Sequence, residues 1–429
     1  MSAASNSLLQ GLIRPASLSR THTTVDSAVR KTSPMASALG VLATHVSVSD
    51  ILPESHEKTG VRPAHHADDT QTKFVNPWPS SREVPRLHLK LIVDTWRSMP
   101  AVPKDLASLI PAHTPNWGAG SQAEAVKATW LGHACFLVEF PSSGEGVRGP
   151  RVLFDPALSH RCSPFSRLGP ARITPVPCPI EAIPAVDAII LSHNHYDHTD
   201  TASLQTLFKT YSPQIFAPLG NGPYLASIGI PASHTHILDW WDARLLSLTL
   251  PSRTQDSPST QTQLRITCTP CQHISGRTLF DRGTTLWASW AVSTVSPTAS
   301  EAYVPKKVWF AGDTGYRTVS AGEDEAAVPV CPAFREIGER EGPFDLALIP
   351  IGAYAPRELF SCVHCSPVDS VRLFQDVRAR KALGMHWGTW MLTTEEIMAP
   401  PQLLAQECAA LGIPAEDFDV CGLGETRFF

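Results

Sequence analysis

Apolar positions in this chain fall into short runs, each closed by glycine or polar residues, from about residue 128 onward. Thr129–Phe140 and Arg151–Pro156 are such runs, with the Ser- and Gly-rich loop 141–150 between them. Val186–Leu191, Leu264–Cys268, Lys307–Phe310 and Ala382–Met385 follow the same design. Length and β-branched content mark each as a strand ending in a loop. Thr201–Thr210 breaks the rhythm: Leu204, Leu207 and Phe208 recur at helical spacing, and Asp200 stands where a cap belongs. Strands alternating with helices predict an α/β fold of two packed mixed β-sheets flanked by helices.

The first 70 residues follow neither pattern. Ser, Thr, Ala and Pro dominate them, which predicts a disordered N-terminal tail. Its opening, Met1 to Val25, holds Arg14 and Arg20 but no acid, the composition of a mitochondrial transit peptide. The mildly apolar stretch from Met35 to Leu52 is broken by His45, Ser47, Ser49 and Asp50. It falls short of the roughly 18–20 apolar residues of a spanning helix, so no transmembrane segment is expected. Order is expected to begin near Lys73, where Pro77 and Pro79 flank Trp78 and stiffen the chain. Residues 71–120 then read as an extended arm with a short helix over Pro85–Trp96, and 121–429 as the main folded domain. Ser252–Gln263 and Arg317–Val330 read as polar surface insertions, the second close enough to Asp313 to rim an active site.

Charge and cysteine content narrow the function. A net charge of −5 lacks the basic stripe that nucleic acid requires, though one phosphate in a pocket remains compatible with it. The 10 cysteines are scattered without a framework spacing, which points to a reducing compartment. Cys362-Val363-His364-Cys365 contains a C-x-x-C with no second pair at zinc-finger spacing, and chance explains it.

The chemistry is concentrated directly after the run ending at Leu191. His193, His195, Asp197 and His198 put three imidazoles and a carboxylate within six positions. These are the donors that borderline metals such as zinc prefer. Their alternation lets His193 and His195 face one ion while Asp197 and His198 face another. The pattern HxHxDH is similar to the signature of the metallo-β-lactamase superfamily, which needs further ligands just past buried strands. His273, Asp313 and His386 each meet that test, in the order His, Asp, His.

Other segments resemble a narrower family. Phe74-Val75-Asn76-Pro77-Trp78-Pro79, Trp130-Leu131-Gly132-His133, Phe154-Asp155-Pro156, Asp239-Trp240-Trp241, Gly312–Tyr316, Ile349–Tyr354 and Met385–Thr389 are similar to N-acylphosphatidylethanolamine-hydrolysing phospholipase D. The resemblance runs from about Phe74 to Arg427. It implies two Zn²⁺ per chain, with His193, His195 and His273 on one, Asp197, His198 and His386 on the other, and Asp313 bridging. It implies catalytic roles for Asp197, Asp313 and His364, and substrate contacts from Tyr196, Arg277 and His364. Asp155 resembles a carboxylate that orients a ligand histidine. Two departures fall at head-group contacts: Val363 stands where the family has glutamine, and Gly276 where it has lysine.

The implied reaction is hydrolysis of N-acylphosphatidylethanolamine to an N-acylethanolamine and phosphatidic acid. Two cations about 3.5–4 Å apart activate a shared water and neutralise phosphodiester oxygens. Two alternatives stand beside it: a dizinc hydrolase of a small-molecule ester, lactone or amide, and a non-catalytic lipid-binding relative. The expected partners are a phospholipid substrate, a membrane surface met peripherally and a second copy of the chain in a homodimer, with no nucleic acid. The expected location is intracellular, mitochondrial or cytoplasmic. Tyr224–Ile230 is an apolar run for which membrane contact and a buried helix are the two readings.

Overall fold

The computed structural model describes residues 42–51, 62–82, 94–95, 97–119, 124–142, 146–165, 167–252, 259–278, 280–296 and 303–429. Among them run fifteen strands. In chain order these are β1 (His45–Ile51), β2 (Lys127–Gly132), β3 (Cys135–Glu139), β4 (Arg151–Phe154), β5 (Ala188–Ile190), β6 (Gln214–Pro218), β7 (Thr235–Leu238) and β8 (Ala243–Leu250). They continue as β9 (Thr260–Thr269), β10 (Ser289–Val295), β11 (Lys307–Phe310), β12 (Leu346–Pro350), β13 (Ala382–Met385), β14 (Phe418–Asp419) and β15 (Thr426–Phe428). The helices are α1 (Leu106–Leu109), α2 (Thr201–Tyr211), α3 (Gly222–Ser227), α4 (Ala333–Arg340), α5 (Arg357–Phe360), α6 (Pro367–Asp376) and α7 (Ala399–Ala410).

The strands form an eight-stranded sheet, β1-β8-β9-β10-β11-β12-β13-β14, and a seven-stranded sheet, β15-β2-β3-β4-β5-β6-β7. Side chains alternate between faces along a strand, and here both faces are buried. In the seven-stranded sheet Trp130, Phe136, Val138, Phe154, Ile190 and Phe216 join the core shared with the other sheet. Their neighbours Leu131, Leu137, Leu153, Ile189 and Ile215 form a second core with Leu204 and Leu207 of α2 and Leu225 of α3. Phe334 of α4, Leu373 of α6 and Leu404 of α7 cover the outer side of the larger sheet. Hence the layers run helix, sheet, sheet, helix, as the strand and helix pattern predicts. The rings of Phe154 and Phe310 meet across the sandwich with centroids 4.7 Å apart. Replacing either by alanine would cost about 3–5 kcal/mol, because a buried ring leaves a cavity.

Strand direction places the chemistry. β4, β5 and β6 are parallel, as are β11, β12 and β13. β9 runs antiparallel to β10, which is antiparallel to β11, so β9 points the same way as β11. Asp155, His193, His273, Asp313 and His386 therefore all leave strand ends at one edge. The two sheets are tied there by Ala288 N donating to Ser192 O at 2.9 Å and Trp290 Nε1 donating to Leu191 O at 3.0 Å.

Several expectations need correction. The tail read as disordered to residue 70 includes β1, which pairs with β8 over seven residues. The polar breaks in that stretch alternate with Val46 and Val48, both packed against the core, which is how an edge strand is written. His65 and His66 are buried too, and each places Nε2 on one oxygen of Asp239, at 2.7 and 2.8 Å. Most of the expected helix over Pro85–Trp96, and the whole transit-peptide stretch, lie outside the described residues. Thr260–Gln263, assigned to a polar insertion, is the start of β9. Arg317, assigned to a surface loop, is buried and donates from Nε to Asp369 Oδ1 at 2.7 Å.

Candidate metal centre

The residues after β5 cannot continue the strand, because Asp155 captures the backbone. Its Oδ1 accepts from Ser192 N at 2.7 Å, and its Oδ2 accepts from Ser192 Oγ at 2.5 Å. The same Oδ2 lies 2.7 Å from His198 Nδ1, which aims the other ring nitrogen of His198 into the site. Asp155 thus stands where the sequence placed it, behind a histidine. Gly312, just before Asp313, has φ +58, and a Cβ there would meet Ser192 Cβ at 2.5 Å. Only glycine lets the two sheets approach so closely at the site. Non-glycine residues also take positive φ here: Asp155 (38°), His133 (54°) and His386 (64°). That conformation is costly for ordinary side chains and clusters at functional sites.

The seven expected ligands converge into two nests. In the first, His195 Nδ1 lies 2.8 Å from His193 Nε2 and 3.3 Å from His273 Nε2. His273 is aimed by its other nitrogen, which lies 2.9 Å from Val363 O. In the second, His198 Nε2 and His386 Nε2 both lie 3.6 Å from Asp197 Oδ2. Asp313 Oδ2 sits between them. It is 3.1 and 3.0 Å from His198 and His386 Nε2, and 4.0 and 3.9 Å from His193 and His273 Nε2. These separations suit donors held about 2.0–2.1 Å from shared ions.

Burial sharpens the electrostatics. Burial drives the His193 and His273 pKa values well below the ordinary range, so both rings are neutral. Burial also opposes charge on His198, but Asp313 and Asp197 outweigh it and raise its pKa. Both carboxylates stay ionised because the surrounding histidines, His198 foremost, overcome their desolvation. The neutral imidazoles of the first nest, and the ionised carboxylates that draw protons onto His198 and His386, form a donor set in which a divalent cation can take the place of those protons. The orphaned atoms agree: His198 Nε2, His386 Nε2, Asp313 Oδ1 and His364 Nδ1 are buried without a hydrogen-bond partner. The site fits metal.

The expected substrate contacts divide. His364 Nδ1 lies 3.8 Å from Asp313 Oδ2, so this residue does border the centre. Burial pushes its pKa down to about 4. Tyr196 is half-buried, with the Arg277 guanidinium 3.9 Å from its ring centroid. Arg277 is more committed than the sequence suggested. Its Nη1 donates to Asn194 O and Thr199 O, both at 2.8 Å, and Tyr224 covers it at 4.6 Å. Through that one nitrogen Arg277 braces the loop 194–199. Leu225 and Ile230 enter the second core, the helix ends at Ser227, and Ala226, Ser227 and Gly229 are exposed, so the run 224–230 buries one side only. Cys362 and Cys365 are buried free thiols.

Three residues were missed. His133 Nε2 lies 3.0 Å from Asp197 Oδ2, and its ring centroid is 3.9 Å from that of His386. It follows a strand that ends at a glycine, the same kind of place as the candidate ligands, and the sequence marks it only as part of a family segment. Asn194 Oδ1 accepts from Gly276 N at 2.8 Å, and Asn76 Nδ2 donates to His273 O at 2.8 Å. No local pattern could announce either, because each partner is remote in sequence.

Residues 150–387 match the Beta-lactamase superfamily domain. An uncharacterized protein of Mycobacterium tuberculosis is 36% identical over 330 residues, covering 74% of this chain and 73% of that protein. N-acyl-phosphatidylethanolamine-hydrolyzing phospholipase D 1 of Caenorhabditis elegans is 32% identical over 71% of this chain and 76% of its own length. The mitochondrial N-acyl-phosphatidylethanolamine-hydrolyzing phospholipase D of Saccharomyces cerevisiae is 29% identical over 72% of this chain and 64% of its own. With the layered sandwich and the His/Asp nests, these matches describe a metal-dependent hydrolase fold. The chain belongs to the metallo-β-lactamase superfamily and, within it, to the family of the N-acylphosphatidylethanolamine-hydrolysing phospholipases D.

Proposed function

We propose that this protein is a dizinc phosphodiesterase that hydrolyses N-acylphosphatidylethanolamine to an N-acylethanolamine and phosphatidic acid. The observation that carries the reading is Asp313 Oδ2, placed within 3.0–4.0 Å of four imidazole nitrogens drawn from both nests. His193, His195 and His273 would hold one ion, and Asp197, His198 and His386 the other. Two bound ions would supply an activated water and neutralise the phosphodiester oxygens. Around them the chain supplies positioning. Asp155 and His133 fix His198 and Asp197, and Val363 O fixes the tautomer and direction of His273. His364, neutral at physiological pH and bordering the centre, is placed to donate a hydrogen bond to a phosphate oxygen or to the leaving alkoxide.

A second reading, a hydrolase of a small-molecule ester, lactone or amide, draws support from Arg277. Its Nη1 serves the backbone carbonyls of Asn194 and Thr199, and Gly276 beside it offers no side chain to a head group. The leading reading also takes the membrane as the place of encounter. Among the described residues no helix is long and apolar enough to cross a bilayer, so contact would be peripheral. A mitochondrial address rests on the acid-poor opening of the chain and on the named location of the yeast relative.

Product analysis on a synthetic N-acyl phospholipid in ¹⁸O-labelled water tests the reaction. The expected products are the N-acylethanolamine, unlabelled, and phosphatidic acid carrying the solvent oxygen. Label in the N-acylethanolamine, or turnover confined to small esters, lactones or amides, would reject it.

A further inference from the structure

Two loops are fastened to the segment 193–200 and to the start of the helix that follows it. The first, 157–171, leaves β4 through Asp155. It is fastened to the N-terminus of α2 by Leu158 N donating to Ser203 Oγ and Ser159 N donating to Asp200 Oδ2, at 3.1 and 3.0 Å. The second follows His273 and is fastened through Gly276 to Asn194 and through Arg277 to Asn194 and Thr199. His195, Tyr196 and Asp197, in the segment to which both loops are fastened, are the part of the HxHxDH stretch partly open to solvent.

Both loops carry large apolar side chains outward. Phe280 is 93% exposed, Leu168 65% and Phe165 60%, among the most exposed large apolar residues described. Such exposure costs solubility and gains nothing in packing, and when it rims a site it marks an interaction surface. The charge is equally uneven. The chain carries a net charge of −5, yet the loop 157–171 includes Arg161 and Arg167 and no acid. Arg167 and Arg282 are exposed beside the apolar tips. Asp281, the one acid at the second tip, turns inward to accept from Arg277 N and Thr278 N.

Apolar tips with flanking arginines fit one kind of partner, an anionic lipid surface: rings enter the interface and cations meet head-group phosphates. We propose that Phe165, Leu168 and Phe280 form a two-pronged membrane anchor that seats the metal centre at head-group depth. The anchor deepens the reading of the site as a phospholipid hydrolase, and it rests on that reading for its purpose.

The test uses the metal-loaded full chain and vesicles of phosphatidylcholine with or without phosphatidylserine, neither of which is the proposed substrate. Wild-type protein should cosediment with the anionic vesicles and bind neutral ones more weakly. The double variant Leu168→Asp, Phe280→Asp should lose at least about tenfold in vesicle affinity. Its hydrolysis of a short-chain, water-soluble N-acyl phosphodiester should match wild type, which shows that the fold and the centre are intact. Phe165→Ser alone should give a smaller loss in the same direction. Unchanged vesicle binding by the double variant would overturn the anchor. So would a change in oligomeric state on gel filtration with vesicle binding retained, because the tips would then face a second copy. Vesicle binding is read without turnover, so failure to cleave the phosphodiester would count against the proposed reaction alone.

Discussion

The two sheets contribute to the centre in opposite ways. The seven-stranded sheet delivers four candidate ligands from one loop, His193 to His198, held from behind by Asp155, which leaves the neighbouring strand β4. The eight-stranded sheet delivers three, each alone at a different strand end and each steadied by a remote partner. His273 leans on Val363 O through its ring and on Asn76 through its carbonyl. His386 N donates to His133 O at 3.1 Å, reaching across to the other sheet. Asp313 depends on Gly312 fitting against Ser192. One half is fixed by chain connectivity and the other by packing over long sequence distances. Damage to supports should therefore be local and severe in the first half, and graded and distributed in the second.

The largest effect should come from the residue shared by the two nests. Asp313→Asn keeps the shape but removes the shared charge, and kcat/KM should fall by about a thousandfold or more, equivalent to roughly 4 kcal/mol of transition-state stabilisation. Circular dichroism and cooperative unfolding should persist. Activity near wild type would break the claim that the two nests act as one centre.

Next comes the support of the contiguous half. Asp155→Asn leaves the backbone nearly unchanged but weakens the grip on Ser192 and His198, and should cost about 10- to 100-fold in metal affinity and activity. His133→Ala should fall in the same range, through Asp197. A metal titration showing wild-type affinity for both variants would contradict the assignment of these residues as positioning groups.

The smallest of the three belongs to the dispersed half. Asn76 donates to His273 O, and its Oδ1 accepts from Trp287 Nε1 at 3.1 Å. Asn76→Ala should cost on the order of 1–3 kcal/mol in stability, the penalty for a part-buried donor and acceptor left unpaired. It should lower kcat only several-fold, because Val363 O still aims the His273 ring. A loss of activity as deep as that of Asp155→Asn would erase the difference between the halves.

The same difference decides what was legible in the sequence. The HxHxDH loop announced itself because its ligands are neighbours, and the strand before it fixed their place. His273, Asp313 and His386 were legible by a weaker sign, a polar residue directly past a buried run. The sandwich followed from alternating strands and helices, and α2 begins where Asp200 was expected to cap it, its carboxylate accepting from Ala202 N. What escaped was nonlocal. β1 is a strand only because β8 lies beside it, so its own polar breaks read as disorder. The bracing role of Arg277 was not legible because its two carbonyl acceptors and two aromatic covers come from Asn194, Thr199, Tyr196 and Tyr224, none adjacent in sequence. His133 sits in a turn whose value depends on Asp197 and His386 arriving from elsewhere.

If the two nests each hold an ion around one shared carboxylate, counting metal in purified, fully active protein shows it most directly. Elemental analysis should find two zinc ions per chain, and chelation should remove activity in step with metal, with zinc restoring it. One metal ion per chain, or none, in protein at full activity would contradict the account.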